Sequence, residues 1–231
     1  MAVTFDAAMT GGNDGGDVAS TTNGSSVSTA GMTIGGSANL LVVCFSLQDV
    51  GSACSGLSAT WNGVSMTAGP LLKTIAGNGD TAAIFYLINP ATGNQTLAGS
   101  WTGSGDLYLG CASFIGVDTT TPIVTADNQT SATNVTIPTA NGDATVSCSV
   151  RDANDPTVSF TKFYGAQDLN PGGAGQYKLS TGSSDAHTFT YSGGASQATV
   201  GVHILASAGG GGNDPDVPLL NQPHTYNVYR M

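Results

Sequence analysis

The sequence predicts an all-β protein, an antiparallel β-sandwich of jelly-roll-like form, and three observations support that class. Short runs of apolar or alternating residues are separated by turn signals such as Asn62-Gly63 and Asn141-Gly142. The chain contains 33 Gly and 9 Pro, a composition that disfavours long helices. All fifteen acidic residues are Asp, which favours turns, and the sequence has no Glu to favour helices.

The predicted strands fall at regular intervals along the chain. They are 3–7, 39–47, 59–61, 64–67, 71–75, 82–88, 95–101, 107–115, 134–137, 144–150, 162–166, 175–179, 187–191 and 198–205. Segments 39–47, 82–88 and 107–115 are apolar on both faces, which predicts central strands or strands covered by a subunit contact. Segment 198–205 alternates between an apolar and a polar face. Two facing sheets are the simplest way to bury so many apolar faces.

Two segments lie outside this series and set the domain boundaries. Residues 9–30 are rich in Gly, Ser, Thr, Asn and Asp, which predicts a flexible polar loop or loosely held arm near the N-terminus. Residues 209–212 are four consecutive glycines, which predict a hinge. We therefore expect a sandwich domain over 1–207 and an extended C-terminal tail over 208–231.

The charge balance indicates which partners are disfavoured. The net charge is −10, with only five Lys and Arg residues, so the chain cannot neutralise many phosphates and nucleic-acid binding is not expected. Anionic membrane surfaces are disfavoured for the same reason. No apolar run approaches the ~18 residues of a membrane span, so membrane insertion is not expected. The N-terminus lacks the basic and apolar regions of a secretory signal.

The four cysteines are Cys44, Cys54, Cys111 and Cys148. Their spacing matches no metal-binding motif. All but Cys54 lie inside apolar or alternating runs, which predicts buried free thiols that act as small hydrophobic side chains. A disulfide between Cys44 and Cys54 is the alternative.

The histidines give no local sign of catalysis or metal binding. His187, His203 and His224 are scattered, and no two have the spacing of a zinc site. The sequence has neither a nucleophile elbow nor a phosphate-binding loop. We therefore expect no enzyme activity, cofactor or metal, although a Ser-His-Asp triad assembled in space is left open. His187, Phe189 and Tyr191 share one strand face, which indicates core or interface more than a sugar-stacking platform.

Several stretches together resemble a β-sandwich domain of tailed-phage structural proteins and some bacterial surface proteins. They are VTFDAA at 3–8, NLLVV at 39–43, ATWNGVSMT at 59–67, AIFYLINPATG at 83–93 and ASFIGVD at 112–118. The resemblance covers roughly residues 3–207 and carries no catalytic signature. It implies a virion building block, assembled in the host cytoplasm, that associates with other virion proteins and with copies of itself.

The expected function is therefore non-enzymatic: a capsid decoration or head-fibre protein, or alternatively a tail or baseplate component. In this hypothesis the tail is a docking arm that Pro215, Pro218 and Pro223 keep extended. Its anchors would be Leu219, Leu220, Tyr226, Val228 and Tyr229. The alternative is that the tail folds back on its own domain.

A second hypothesis is a module that binds host glycans. Aromatic rings stack on sugars, and the candidate stacking residues are Trp61, Trp101 and Tyr108. Trp61, beside the predicted hairpin at Asn62-Gly63, is the best placed of the three, and a position in the core is the competing interpretation.

Overall fold

A computed structural model of the chain describes residues 1–10, 19–49, 55–74, 79–130, 133–151, 156–165, 172–192 and 197–208. Within these ranges the regular elements are β-strands and every strand pair is antiparallel, which confirms the predicted fold class. The strands are β1 (Thr4–Ala8), β2 (Ala19–Ile34), β3 (Leu40–Asp49), β4 (Ser55–Trp61), β5 (Val64–Ser65), β6 (Thr67–Thr74), β7 (Asp80–Ile88), β8 (Gly93–Ile115), β9 (Ile123–Thr130), β10 (Asn134–Pro138), β11 (Ala144–Arg151), β12 (Thr157–Val158), β13 (Thr161–Gly165), β14 (Gly172–Leu179), β15 (Ser184–Thr190) and β16 (Gln197–Ile204). This part of the chain contains no helix long and apolar enough to cross a membrane.

The first sheet is built around β8. Its strand order is β5-β4-β8-β3-β7-β6, and β1 and β2 also pair with β8. The later half of β8 pairs with β3, its earlier half pairs with β4, and β2 follows its other edge along most of its length. The two halves of β8 pack against each other. A Cβ added at Gly99, in the earlier half, would lie 3.3 Å from Leu109 in the later half and 2.9 Å from Phe45 of β3. The sheet therefore curls into a near-barrel.

Apolar side chains fill two cores on opposite faces of β3, β7 and β8. In β3, Leu41, Val43 and Phe45 point into the near-barrel, whereas Leu40 and Val42 point to the second sheet. This arrangement explains why the three segments predicted as central strands are apolar on both faces, and it confirms that prediction.

The second sheet covers the first, and a third sheet covers the second. The second sheet has the strand order β13-β14-β11-β16-β9, and the third has the order β10-β15-β12. Val146 and Cys148 of β11 and Val200 and Val202 of β16 face the first sheet across the shared core. The alternate residues of β11 and β16 face the third sheet, so the domain has three layers.

Two local predictions have clear outcomes. The hairpin at Trp61-Asn62-Gly63-Val64 forms as predicted, with positive φ angles of 50° at Asn62 and 75° at Gly63 and with Trp61 paired to Val64. The segment predicted as a polar loop over 9–30 differs, because β2 occupies its second half and pairs with β8. Backbone pairing to β8 holds this Ser- and Thr-rich strand in place.

Candidate functional site

A layer of buried polar side chains lies between the second and third sheets. Because side chains alternate along a strand, Thr145, Ser147 and Ser149 of β11 point away from the apolar core. All three are 0% exposed, since β15 lies over them. The strand therefore has one apolar and one polar face, and both are buried.

Asp185 and His187 of β15 point into this layer and meet the hydroxyl groups of β11. His187 Nδ1 lies 2.7 Å from Ser147 Oγ, and its Nε2 lies 2.7 Å from Thr145 Oγ1. Thr145 Oγ1 donates to Asp185 Oδ2 at 3.0 Å. These side chains, together with Lys178 and Ser180, are called the Asp185–His187 network below.

The hydrogen bonds assign the tautomer of His187. A threonine hydroxyl has one proton, and Thr145 gives it to Asp185, so Thr145 Oγ1 must accept from His187 Nε2–H. Because burial keeps the imidazole neutral, His187 Nδ1 carries no proton and accepts from the Ser147 hydroxyl. The imidazole is neutral and protonated at Nε2.

Lys178 and Ser180 complete the surroundings of Asp185. Lys178 Nζ lies 2.6 Å from Asp185 Oδ1, and Ser180 Oγ donates to Asp185 Oδ2 at 2.5 Å. Burial by itself raises the pKa of Asp185, but the hydrogen bonds from Lys178, Ser180 and Thr145 and the Lys178 charge outweigh it and lower the pKa. The carboxyl group is therefore an ionised acceptor.

Burial has the opposite consequence for the charge of His187. Removal from water lowers the pKa of its imidazole from 6.5 to about 3; the negative charge of Asp185 opposes this shift, and the positive charge of Lys178 adds to it. The ring of Phe160 lies edge-to-face against His187, with centroids 4.7 Å apart. His187 is thus a neutral, fully packed side chain at ordinary pH.

This arrangement does not suit a nucleophilic mechanism. In a hydrolase triad the carboxylate bonds directly to histidine Nδ1 and the nucleophile lies at Nε2. Here Ser147 occupies Nδ1, and Thr145 stands between the imidazole and the carboxylate. Ser147 and His187 are both 0% exposed, so no substrate reaches them in this conformation. The network joins β11 to β15 and fixes the third sheet on the second.

A second buried pair lies at the end of the same polar layer. His203 Nε2 of β16 lies 2.7 Å from Asp143 Oδ2. Asp143 also accepts the backbone N–H groups of Ala206 at 2.8 Å and of Ala140 at 3.2 Å. Segment 198–205 was predicted to alternate between an apolar and a polar face; His203 lies on the polar face, but that face is covered and His203 is only 7% exposed.

The three predicted glycan-stacking residues lie in the cores. Trp61 is 0% exposed, Tyr108 is 4% exposed and Trp101 is 5% exposed. Trp61 and Trp101 belong to the near-barrel core and Tyr108 to the core between the sheets, so the fold does not bring the three rings together. Trp61 Nε1 donates to Ala91 O at 2.8 Å, which satisfies its polar atom. These rings present no face to a sugar, and the glycan-stacking prediction is corrected to the competing one, a place in the core.

Other predicted residues have separate outcomes. His187, Phe189 and Tyr191 are buried, as the strand face predicted. Cys44, Cys111 and Cys148 are buried free thiols, which confirms that interpretation for these three; Cys54 lies outside the described residues. The tail anchors also lie outside them: Leu219, Leu220, Tyr226, Val228 and Tyr229. In the part of the chain that the structure describes, no three His, Cys or Asp side chains are grouped so as to hold a metal ion.

An open groove of about 490 Å³ lies where β13 and β14 meet the third sheet. Its walls include Ser159, Phe160, Tyr177 and Lys178. Lys178 Nζ lies 4.7 Å from the centre of the Phe160 ring, and Tyr177 stacks on Phe5 with centroids 4.5 Å apart. Sequence reasoning missed this groove, because its residues come from a loop and two strands whose pairing no local pattern reveals.

Comparisons with known protein families, with curated proteins and with solved structures found no match.

Proposed function

We propose that this chain is a non-enzymatic structural protein of a tailed-phage virion, a capsid decoration or head-fibre protein that attaches to neighbouring virion subunits. The observation that carries the proposal is the Asp185–His187 network. Its side chains are of the types that enzymes use, yet they hydrogen-bond to one another between two sheets and serve to hold layers together. The resemblance to phage β-sandwich domains points in the same direction.

The layered body supports a mechanism based on rigid surfaces. Three stacked sheets resist deformation, because each shares a packed or hydrogen-bonded layer with the next. The sequence contains only 9% charged residues, so most contacts with neighbours would be made by Ser, Thr, Gly and apolar groups. Copies of the domain would associate through such faces and edges.

The end of the described chain gives the proposed docking arm a fixed origin. Leu205 N donates to Pro122 O at 3.0 Å, and Ser207 N donates to Gly116 O at 2.8 Å. The N-terminal ammonium of Met1 donates to Ser207 O at 2.9 Å. Residues 209–231 therefore begin at a defined point on the body, as an arm that reaches a specific neighbouring subunit requires.

The test measures whether the chain is incorporated into virus particles. Virions are purified on a density gradient from cells that express the wild-type chain, a chain lacking residues 209–231, or a chain in which the five tail anchors are replaced by Ser. We expect the wild-type chain at a fixed ratio to the major capsid protein and both variants largely absent. A wild-type chain missing from particles contradicts the virion assignment. Unchanged incorporation of both variants contradicts the docking arm alone.

A host-glycan adhesion module is the second candidate, and the groove beside Phe160 favours it. An aromatic ring, a lysine and hydroxyl groups at an open surface are groups that bind sugars. A glycan array probed with the wild-type chain and with Phe160→Ala tests it, and Val64→Ala, at an exposed position on the β4–β5 hairpin of the first sheet, is the control. Signal lost only in Phe160→Ala supports this candidate, and no signal from the wild-type chain contradicts it.

A further inference from the structure

Two thiols meet in the core between the first and second sheets. Cys44 lies on β3 and Cys148 on β11; both are 0% exposed and belong to the same apolar cluster. Cys148 Sγ lies 3.7 Å from Phe45 O and 3.6 Å from Ala83 O, so it sits directly over the backbone beside Cys44. Phe45 follows Cys44 in β3 and pairs with Ala83 of β7, so these two carbonyl groups place the Cys148 sulfur beside Cys44. The sulfurs are therefore neighbours, although their strands belong to different sheets.

The folded core shields both sulfurs from solvent, and it keeps Cys44 as a thiol. Burial raises the pKa of Cys44, and its hydrogen bond to Cys148 raises it further. The attacking species in disulfide exchange is the thiolate, which needs solvent access and a pKa nearer neutrality. Once the sheets have closed, an oxidant in solution has no path to either sulfur, because both cysteines are 0% exposed. Any oxidation of this pair must take place while the chain folds or opens.

We propose that Cys44 and Cys148 form a latent disulfide site that links the first and second sheets when the chain folds in the presence of a small-molecule disulfide. One thiolate attacks oxidised glutathione, which forms a mixed disulfide and releases one glutathione thiolate. The second cysteine then attacks the protein sulfur of the mixed disulfide and releases the other glutathione thiolate. The two protein thiols lose two electrons and two protons, and one oxidised glutathione becomes two reduced molecules.

The fold selects this pair over the third described cysteine. Cys111 lies in the near-barrel core, on the opposite face of the first sheet. A bond from Cys111 to Cys148 would have to pass through the sheet, whereas Cys44 and Cys148 lie in the same core and can approach the S–S length of about 2.05 Å without crossing a strand.

The experiment is refolding under controlled redox conditions. The full chain is unfolded and reduced, then refolded in a buffer containing reduced and oxidised glutathione. Free thiols are then alkylated, and the chain is digested without reduction and analysed by mass spectrometry. We expect most of the refolded chain to have lost two hydrogens and to yield a peptide pair joined through Cys44 and Cys148. Cys148→Ala should abolish the link, and the control Cys111→Ala should retain it.

Two results would overturn the proposal. One is a refolded wild-type chain that keeps both thiols or joins Cys44 to Cys54. The other is a Cys44–Cys148 link that lowers the urea midpoint of the oxidised chain below that of the reduced chain, because a bond that fits the fold should raise it by restricting the unfolded chain. The wild-type measurements decide the question even where a cysteine variant folds poorly.

Discussion

Acid should destabilise this fold between pH 6.5 and about pH 3, because His187 is buried as a neutral side chain. Folding lowers the pKa of His187 from 6.5 to about 3, because burial disfavours the imidazolium. Between these pH values His187 is protonated in the unfolded chain but neutral in the folded chain, so the free energy of unfolding decreases as the pH falls. The slope is about 1.4 kcal/mol per pH unit, and the loss reaches about 2.7 kcal/mol at about pH 4.5.

The assay is urea unfolding at a series of pH values, followed by the fluorescence of the buried Trp61 and Trp101. His187→Gln removes the titrating group. We expect this variant to be less stable than the wild type near neutral pH, because hydrogen bonds to Ser147 and Thr145 are lost or weakened. Its stability should fall less steeply with acid, by about one proton's slope. Parallel slopes for the two chains between pH 6.5 and about pH 4 would refute the reasoning.

Three further changes test individual contacts. Gly110→Ala should destabilise the fold by about 1–3 kcal/mol in urea unfolding, because the new Cβ would lie 2.2 Å from Tyr164 Cγ. Tyr164→Phe removes the 2.7 Å hydrogen bond to Ser46 Oγ and should cost about 1 kcal/mol in the same assay. Lys178→Met removes the 2.6 Å bond to Asp185, should cost about 1–3 kcal/mol, and should raise the pKa of the Asp185 carboxyl group as followed by carbon NMR.

The glycine and lysine changes each have a control elsewhere in the chain. Gly182→Ala adds the same methyl group where no heavy atom lies within 4 Å, and it should change stability by less than about 0.5 kcal/mol. Lys162→Met removes an exposed lysine from the neighbouring strand and should leave the Asp185 pKa unchanged. Equal losses of stability in Gly110→Ala and Gly182→Ala would contradict the close approach of residue 110 to Tyr164. Equal changes of the Asp185 pKa in Lys178→Met and Lys162→Met would contradict the contact between Lys178 and Asp185.

The sequence predicted the strands that are rich in apolar residues. Segments 39–47, 82–88 and 107–115 were predicted to be central strands or strands covered by a subunit contact, because a strand that is apolar on both faces must be covered on both. β2 was missed because Ser, Thr and Gly dominate it and its partner β8 lies far along the chain. β9 was missed too, although it forms an edge of the second sheet.

The polar network could not be predicted from local patterns. In β11, the alternation of Thr145 and Ser147 with valine and cysteine looks like a strand with one face in water. Only the third sheet, which brings Asp185 and His187 over that face, turns it into a buried layer. The sequence correctly placed His187 on a buried strand face, but it did not indicate which groups would satisfy the two ring nitrogens.

The central claim is that His187 is a neutral, sealed part of the scaffold, and long-range proton–nitrogen NMR of the imidazole tests it most directly. We predict a proton on Nε2, a bare Nδ1 and no change in either nitrogen from neutral pH down to about pH 4, above the folded pKa of about 3. An imidazole that titrates near pH 6.5, or one protonated at Nδ1 in the neutral form, would contradict the account.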